Sequence, residues 1–255
     1  MLNSADANLE RTANPQPIGI LTYHQVATVP LKGAPFRSIY VTPSAFARQM
    51  AMLKLMGYTG LSMSALMPHL RGERSGKVVG ITLDDGYLNN LTHALPVLAH
   101  NGFSATCYAV SQLAGTTNLW DAGIGMAQTP LMNASQLRQW VAGGQEVGSH
   151  TRHHVRLGQT DAATCLDEIT QSKADLEGLI DAPVNHFCYP YGEFTPLHTE
   201  LAREAGYHTA TTTQRSRVHT GANMLLLPRV RVVNNTVLPA LWMKVATAYE
   251  DRRRA

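Results

Sequence analysis

Apolar residues in this chain come in short runs that stop at polar or turn-forming ones. Seven such runs read as strands: Ile18 to Tyr23, Lys77 to Leu83, Ser104 to Val110, Glu146 to Ser149, His186 to Tyr189, Tyr207 to Thr212 and Leu225 to Val233. Between them the apolar positions fall at helical spacing. Thr42-Pro43 is a helix start, with Thr42 capping and Pro43 in the first turn, and Phe46, Met50, Leu53 and Met56 form the apolar face that follows. Further helices are predicted over Ser62 to Leu70, Asn90 to His100 (despite Pro96), Asn133 to Ala142, Leu197 to Ala205 and about Leu238 to Tyr249. The clearest is Asp161 to Ile180, with Ala162, Cys165, Leu166, Ile169, Leu176 and Ile180 along one face. Residues 25–42 carry Pro and Gly without a period and read as a loop, and residues 111–131 as a long excursion.

Alternating strands and helices imply a parallel sheet covered by helices, either closed or open. The polar residues decide between these. His24, Asp84-Asp85, His150 and Pro190-Tyr191 all follow apolar strand runs, at the carboxyl ends. A (β/α) barrel gathers all those ends at one mouth, whereas an open sheet gathers two or three at a switch point. The expected fold is therefore α/β: an irregular (β/α) barrel of about seven parallel strands, with the active site at the carboxyl ends of the strands.

Composition narrows the picture. At 255 residues, 44% hydrophobic and 15% charged, the chain fits one globular domain over residues 17–255 behind a flexible arm, residues 1–16. A net charge of +3 is too small to argue for a nucleic-acid partner and no Lys/Arg block supports one, so none is expected, and Arg252-Arg253-Arg254 reads as a solvated tail. Cys107, Cys165 and Cys188 are widely spaced, so no cysteine metal site is expected. No run is long enough for a membrane span and the polar N-terminus lacks a signal-peptide core. The expectation is a cytoplasmic protein as given, or a periplasmic or secreted one if a leader was removed. The sequence sets no oligomeric state.

Two stretches carry candidate chemistry. In Val79-Gly80-Ile81-Thr82-Leu83-Asp84-Asp85-Gly86 a strand ends on paired carboxylates, which desolvation disfavours unless a metal or proton-transfer role requires them. The bland alternative is a surface Asp-Asp-Gly turn. In His150-Thr151-Arg152-His153-His154, a helical turn or a tight loop can aim His150 and His154 at one metal; the alternative is a surface histidine cluster. Two imidazoles and one aspartate would leave coordination positions open for water and substrate, with the second carboxylate free to act as a base.

Leu83-Asp84-Asp85-Gly86 resembles the T-F-D-D-G motif of the polysaccharide deacetylases (carbohydrate esterase family four). His150 to His154 resembles their H-[ST]-x-x-H motif, and Tyr189-Pro190-Tyr191-Gly192 their R-x-P-[YF]-G motif. The resemblance runs from about residue 18 to 233 with the motifs in order. It implies removal of acetyl groups, usually N-acetyl, from an amino sugar by metal-activated water. By position, Asp84 matches the general base, and Asp85, His150 and His154 match the ligands of a divalent metal, Zn2+ before Co2+ or Ni2+. The Tyr191 N–H matches the oxyanion donor. The partner implied is an N-acetylglucosamine-containing glycan or glycoconjugate. Tyr87, Trp120, Asp121, Pro190 and Tyr191 are the candidate substrate-binding residues, with rim packing the alternative for Trp120 and Asp121.

Departures from the family pattern leave two gaps. Cys188 stands where the third motif carries arginine, and no late L-x-H motif follows; the chain instead has Leu227-Pro228-Arg229-Val230-Arg231. Together with Leu21-Thr22-Tyr23-His24 this is similar to the branch acting on poly-N-acetylglucosamine. Arg229 is the candidate for the missing charge and His24 for the general acid, against a surface ion pair and a core histidine as alternatives. The competing functions are an O-acetyl esterase, a deformylase of a lipid-linked amino sugar, and a catalytically weak glycan-binding homologue.

Overall fold

The computed structural model describes residues 16–253. The arm expected over residues 1–16 lies, up to residue 15, outside the described residues, as does Arg254. In chain order the elements are β1 (Ile20–Tyr23), β2 (Gln25–Val26), β3 (Tyr40–Val41), α1 (Pro43–Leu55), β4 (Thr59–Leu61), α2 (Met63–Leu70), β5 (Val78–Leu83), α3 (Leu95–Asn101) and β6 (Thr106–Ala109). They continue with α4 (Ala134–Ala142), β7 (Glu146–Ser149), α5 (Ala162–Ile180), β8 (His186–Cys188), α6 (Pro196–Glu204), β9 (Thr209–Arg215), β10 (Leu227–Arg231) and α7 (Leu238–Ala246). Strands β1, β10, β9, β8, β7, β6 and β5 pair in parallel in that order, and β5 pairs back onto β1. This is a closed seven-stranded barrel, as expected. Strand β4, three residues and too short to show a period, joins β5 as an eighth strand that takes no part in the closure.

Period-two alternation assigns each strand residue a side. Leu21, Ile81, Cys107, Val147, Phe187, Ala210 and Val230 face outward into one large core shared with the helices. The intervening Ile20, Tyr108, Cys188 and Leu227 form a smaller cluster inside the barrel with Met63 and Leu66 of α2, which closes its amino end. Two glycines make room for this plug. A Cβ on Gly80 would lie 2.8 Å from Leu66 Cδ2, and one on Gly148 would lie 2.4 Å from the Tyr108 ring.

The α2 start has no cap from its own Ser62 side chain. Its first N–H groups donate instead to barrel residues: Ser62 N–H to Ser104 Oγ (2.9 Å), Met63 N–H to Thr106 Oγ1 (2.8 Å) and Ser64 N–H to Glu146 Oε2 (3.1 Å). Glu146 also accepts from the Ser64 hydroxyl and from Thr106 Oγ1, and lies 3.3 Å from His186 Nε2. Burial works against its charge, but the hydrogen bonds from His186, Ser64 and Thr106 outweigh it and hold the carboxyl down at about 2. A depressed carboxyl contributes stability that is present above its unfolded value and lost as pH falls through the folded one, here between about pH 4.5 and 2. Glu146→Gln is therefore expected to cost ~2–3 kcal/mol at pH 7 and much less at pH 2.5, read from urea melts at the two pH values.

Several local readings change. The stretch Asn90 to His100 is helical throughout, as predicted despite Pro96, but not uniformly α: a π-turn at Asn90–Ala94 leads without a break into α3, where Pro96, lacking an N–H, sits in the first turn. On α5, Ala162 and Leu166 are exposed, and the buried stripe runs through Cys165, Glu168, Ile169, Ser172, Leu176 and Ile180. The expected loop 25–42 contains the β2–β3 pair. Arg252 and Arg253 belong to a short turn, Asp251–Arg253, whose Asp251 is bonded to Arg217. Thr42 caps α1 as predicted, accepting from the Ala45 N–H.

Candidate active site

At the carboxyl ends of the strands the barrel opens into a cavity of about 460 Å³. Strand β5 carries Asp84 and Asp85 to its floor. The Asp84 N–H still donates to Tyr23 O of β1 (2.9 Å), so Asp84 continues the inward face of Thr82. Asp85 and Gly86 then turn sharply at φ 77° and 78°, and the Asp85 carboxylate swings toward β7.

The histidine pair sits on a tight loop after β7, not on a helical turn. The Thr151 hydroxyl donates to His150 O and accepts from the His154 N–H, and Thr151 and His154 adopt φ 66° and 59°. Six non-glycine residues have positive φ in the described chain: Asp85, Thr151, His154, Tyr191 and Phe36, all at or beside the cavity, and the helix-end Asp181. Strain concentrated this way marks a site whose side-chain directions matter more than backbone comfort.

His150 Nε2 and His154 Nε2 each lie 3.5 Å from Asp85 Oδ1. Ligands at ~2.1 Å from a tetrahedral metal stand about 3.4 Å apart, so this spacing fits a divalent ion. His150 Nδ1 lies 2.7 Å from Cys188 O. A carbonyl only accepts, so Nδ1 carries the hydrogen and Nε2 points at Asp85, donating to its carboxylate when protonated and offering a lone pair to a metal when deprotonated. His154 Nδ1 has no partner among the described residues. Burial raises the Asp85 carboxyl, but hydrogen bonds from His150 and His154 overcome it and hold it well below the usual range. Burial lowers His154, favouring its neutral form.

Asp84 is 3% exposed and faces Arg229, 2% exposed, in a two-pronged pair of 2.7 and 2.8 Å. The other Arg229 donors reach Thr212 O, Thr82 Oγ1 and Cys188 Sγ, so all five N–H groups are used. The charge missing at Cys188 thus arrives from β10, and the arginine is not a surface ion pair. Burial raises Asp84, while Arg229 and then His24 lower it more, leaving it below the ordinary carboxylate value. His24 is partly exposed at the cavity wall, with Nε2 3.9 Å from Asp84 Oδ2.

Tyr191 sits in a turn closed by Gly192 N–H to Tyr189 O and Glu193 N–H to Pro190 O, which leaves its own N–H unused by the turn. A Cβ on Gly192 would lie 1.9 Å from Thr213 Oγ1, so only glycine lets this turn approach β9. The Tyr191 ring lines the cavity beneath the Arg156 guanidinium at 3.9 Å, and burial raises its hydroxyl to about 12. Trp120 stacks on His154 with centroids 4.3 Å apart, shielding that imidazole while facing the cavity. Asp121 also lines the cavity, its carboxyl raised mainly by burial.

Two expected substrate contacts lie elsewhere. Tyr87 is fully buried and off the cavity, because the chain turns inward after Gly86 and places the ring in the core. Pro190 is also buried and shapes the Tyr191 turn from behind. Sequence reasoning missed Phe36, Ile39, Thr213, Arg215 and Arg231 of the cavity wall. It also missed Glu168 of α5, whose carboxylate accepts from the N–H groups of Arg152 (2.8 Å) and His153 (3.0 Å) and meets His153 Nδ1 at 2.6 Å. A charged residue on the buried stripe of an amphipathic helix was the available signal.

Fold and site together define a (β/α) barrel hydrolase with a candidate metal centre at its mouth. The polysaccharide deacetylase family profile matches residues 71–210. The chain belongs to that family, whose members deacetylate polysaccharides. It is 26% identical over 224 residues to YxkH of Bacillus subtilis (strain 168), a protein named for polysaccharide deacetylase, covering 87% of this chain and 74% of that one. Among solved structures, the Streptococcus pyogenes deacetylase PplD in complex with acetate superposes with a TM-score of 0.79 at 23% identity, covering 91% of this chain and 99% of that one. IcaB from Ammonifex degensii has the same fold, with a TM-score of 0.75 at 22% identity over 89% of this chain and 96% of its own.

Proposed function

We propose that this protein is a metal-dependent amidohydrolase that removes N-acetyl groups from N-acetylglucosamine-containing glycans. The observation that carries the reading is the buried Asp84–Arg229 pair standing beside the Asp85, His150 and His154 cluster in one cavity. Asp85, His150 and His154 would hold the cation, with Zn2+ favoured by the mixed imidazole and carboxylate donors. When bound, such an ion activates water and polarises the acetyl carbonyl.

The chain's own residues supply the rest. Asp84, kept ionised by Arg229, takes the proton of the attacking water. The Tyr191 N–H donates to the oxygen on which negative charge develops, a contribution on the order of 3 kcal/mol in such sites. His24 Nε2 delivers a proton to the departing amine. Trp120 and the Tyr191 ring exclude water and offer faces to a pyranose. The N-acetylglucosamine assignment rests on the resemblance of the Leu21 to His24, Tyr189 to Gly192 and Leu227 to Arg229 segments to the poly-N-acetylglucosamine branch. The reading as a catalytically weak homologue drew its weight from two missing groups, and Arg229 and His24 now stand at Asp84.

The test is acetate release from N-acetylated chitin oligomers and from an O-acetylated xylan, before and after chelation and after return of Zn2+, Co2+ or Ni2+. Release from the N-acetyl substrate that vanishes with chelation, returns with metal and is lost in Asp84→Asn is expected. Turnover that survives chelation, or that occurs only on the O-acetyl ester, would sink the proposal.

A further inference from the structure

Beyond the reacting centre, the β9–β10 wall of the cavity has a chemistry that acetyl hydrolysis does not use. The inward face of β10 reads Leu227, Arg229, Arg231 from floor to mouth. At ~3.3 Å per residue, Arg231 stands about 7 Å nearer the mouth than Arg229. The two arginines differ in how they are held. Arg229 is buried with every donor used by the protein. Arg231 is exposed, donates its one side-chain hydrogen bond among the described residues to the neutral Ser38 hydroxyl at 3.1 Å, and forms no ion pair among them. That contact fixes it against the segment carrying Phe36 and Ile39, which line the same cavity.

Arg215 of β9 adds a second positive group. It pairs in register with Arg229 and also lines the cavity. Its Nε and Nη2 donate to the fully buried Glu250 at 2.9 and 3.1 Å, but Glu250 also takes Lys244 Nζ at 2.5 Å. Two cations share one carboxylate, so the group keeps a net positive charge. Of the cavity's acids, Asp84 is matched by Arg229, Asp85 faces the two histidines, and Asp121, bonded to the neutral Asn118, forms no ion pair with Arg215 or Arg231 among the described residues.

We propose that Arg231, with Arg215 behind it, is a subsite for an oxyanion carried by the glycan, a carboxylate or a phosphate on a sugar next to the one that loses its acetyl group. The guanidinium fork matches both anions, and a neutral amino-sugar chain gives it nothing to neutralise. This deepens the deacetylase reading and rests on it for the identity of the neighbouring sugar. A solvated surface arginine would show no preference among glycans of equal length.

Two measurements separate the possibilities. Equilibrium titration of the intact protein compares an N-acetylchitohexaose, a hyaluronan hexasaccharide (carboxylate) and a phosphorylated N-acetylchitotriose against unphosphorylated N-acetylchitotriose. One or both acidic ligands should bind about tenfold more tightly than the neutral one of equal length at low salt. The advantage should shrink with ionic strength, and Arg231→Gln should weaken acidic binding about tenfold more than neutral binding, with Arg231→Lys between. Which ligand gains identifies the anion. Equal affinity for acidic and neutral ligands, or an Arg231→Gln loss equal on both, overturns the subsite. Acetate release on the same substrates is scored separately. Acidic binding without acetate release would refute the deacetylase reading and leave the subsite standing. Acetate release with no acidic preference would do the reverse.

Discussion

An Arg229→Met protein is expected to lose at least about a hundredfold in acetate release at neutral pH and to shift its acid limb upward by about two pH units. Breaking a buried pair by removing one partner costs ~3–5 kcal/mol, because the remaining charge is left without compensation. At 1.36 kcal/mol per pKa unit, Asp84 would sooner bind a proton than stay charged, and a protonated Asp84 cannot act as a base. The wild-type carboxyl lies below its ordinary value because Arg229 and His24 outweigh burial. It therefore contributes stability above about pH 4 that is lost as pH falls through its folded value. In the variant burial is opposed only by His24 and His150 and the sign reverses, so the gap in melting temperature between the two proteins should narrow below about pH 4. Arg229→Lys should recover part of the rate, since it restores charge but not the two-pronged geometry or the contacts to Thr212 and Thr82. The checks are a pH–rate profile and thermal melts across pH. Full turnover with an unmoved acid limb in Arg229→Met would remove the arginine from the chemistry.

The second large effect is expected at Glu168, which touches neither substrate nor the candidate ligands. Its buried carboxylate holds the Arg152 and His153 N–H groups, and these lie between the two left-handed residues Thr151 and His154. Glu168→Ala leaves two N–H groups without their acceptor and frees the loop to relax its positive φ values, moving His154 off the Asp85 carboxylate. Loss of such supporting contacts typically weakens metal affinity about 10–100-fold. Competition with a chelator of known affinity should show that loss, and turnover should recover at saturating metal, which a general loss of folding would not permit. Glu168→Gln, which keeps one acceptor oxygen, should fall between. Unchanged metal affinity in Glu168→Ala would show that the loop holds its shape without the carboxylate.

Much of this protein was legible in one dimension. The seven barrel strands, the helices between them and the placement of His24, Asp84, Asp85, His150 and Tyr191 after strand ends all follow from local rules. Each residue of a strand faces one of two sides, and a strand that stops at a polar residue delivers it to one rim. The three motifs, being contiguous, carried the family resemblance. Misreadings fell where a neighbour in space decided. Tyr87 looked available because an aromatic follows the acidic pair, yet the Asp85–Gly86 turn sends it into the core. Leu166 fitted the apolar period of α5, but the surface it faces is solvent.

The sequence by itself determined the alternation that makes a barrel and the residue types able to bind a metal and move a proton. Barrel closure, β10 against β1 and β1 against β5, decided how those residues meet. It brings Arg229 to Asp84 across 145 positions of chain and aligns Arg231 above it at the mouth. No periodicity encodes such a pairing. Its geometry depends on strand register, and register is set by the summed packing of the inner and outer faces.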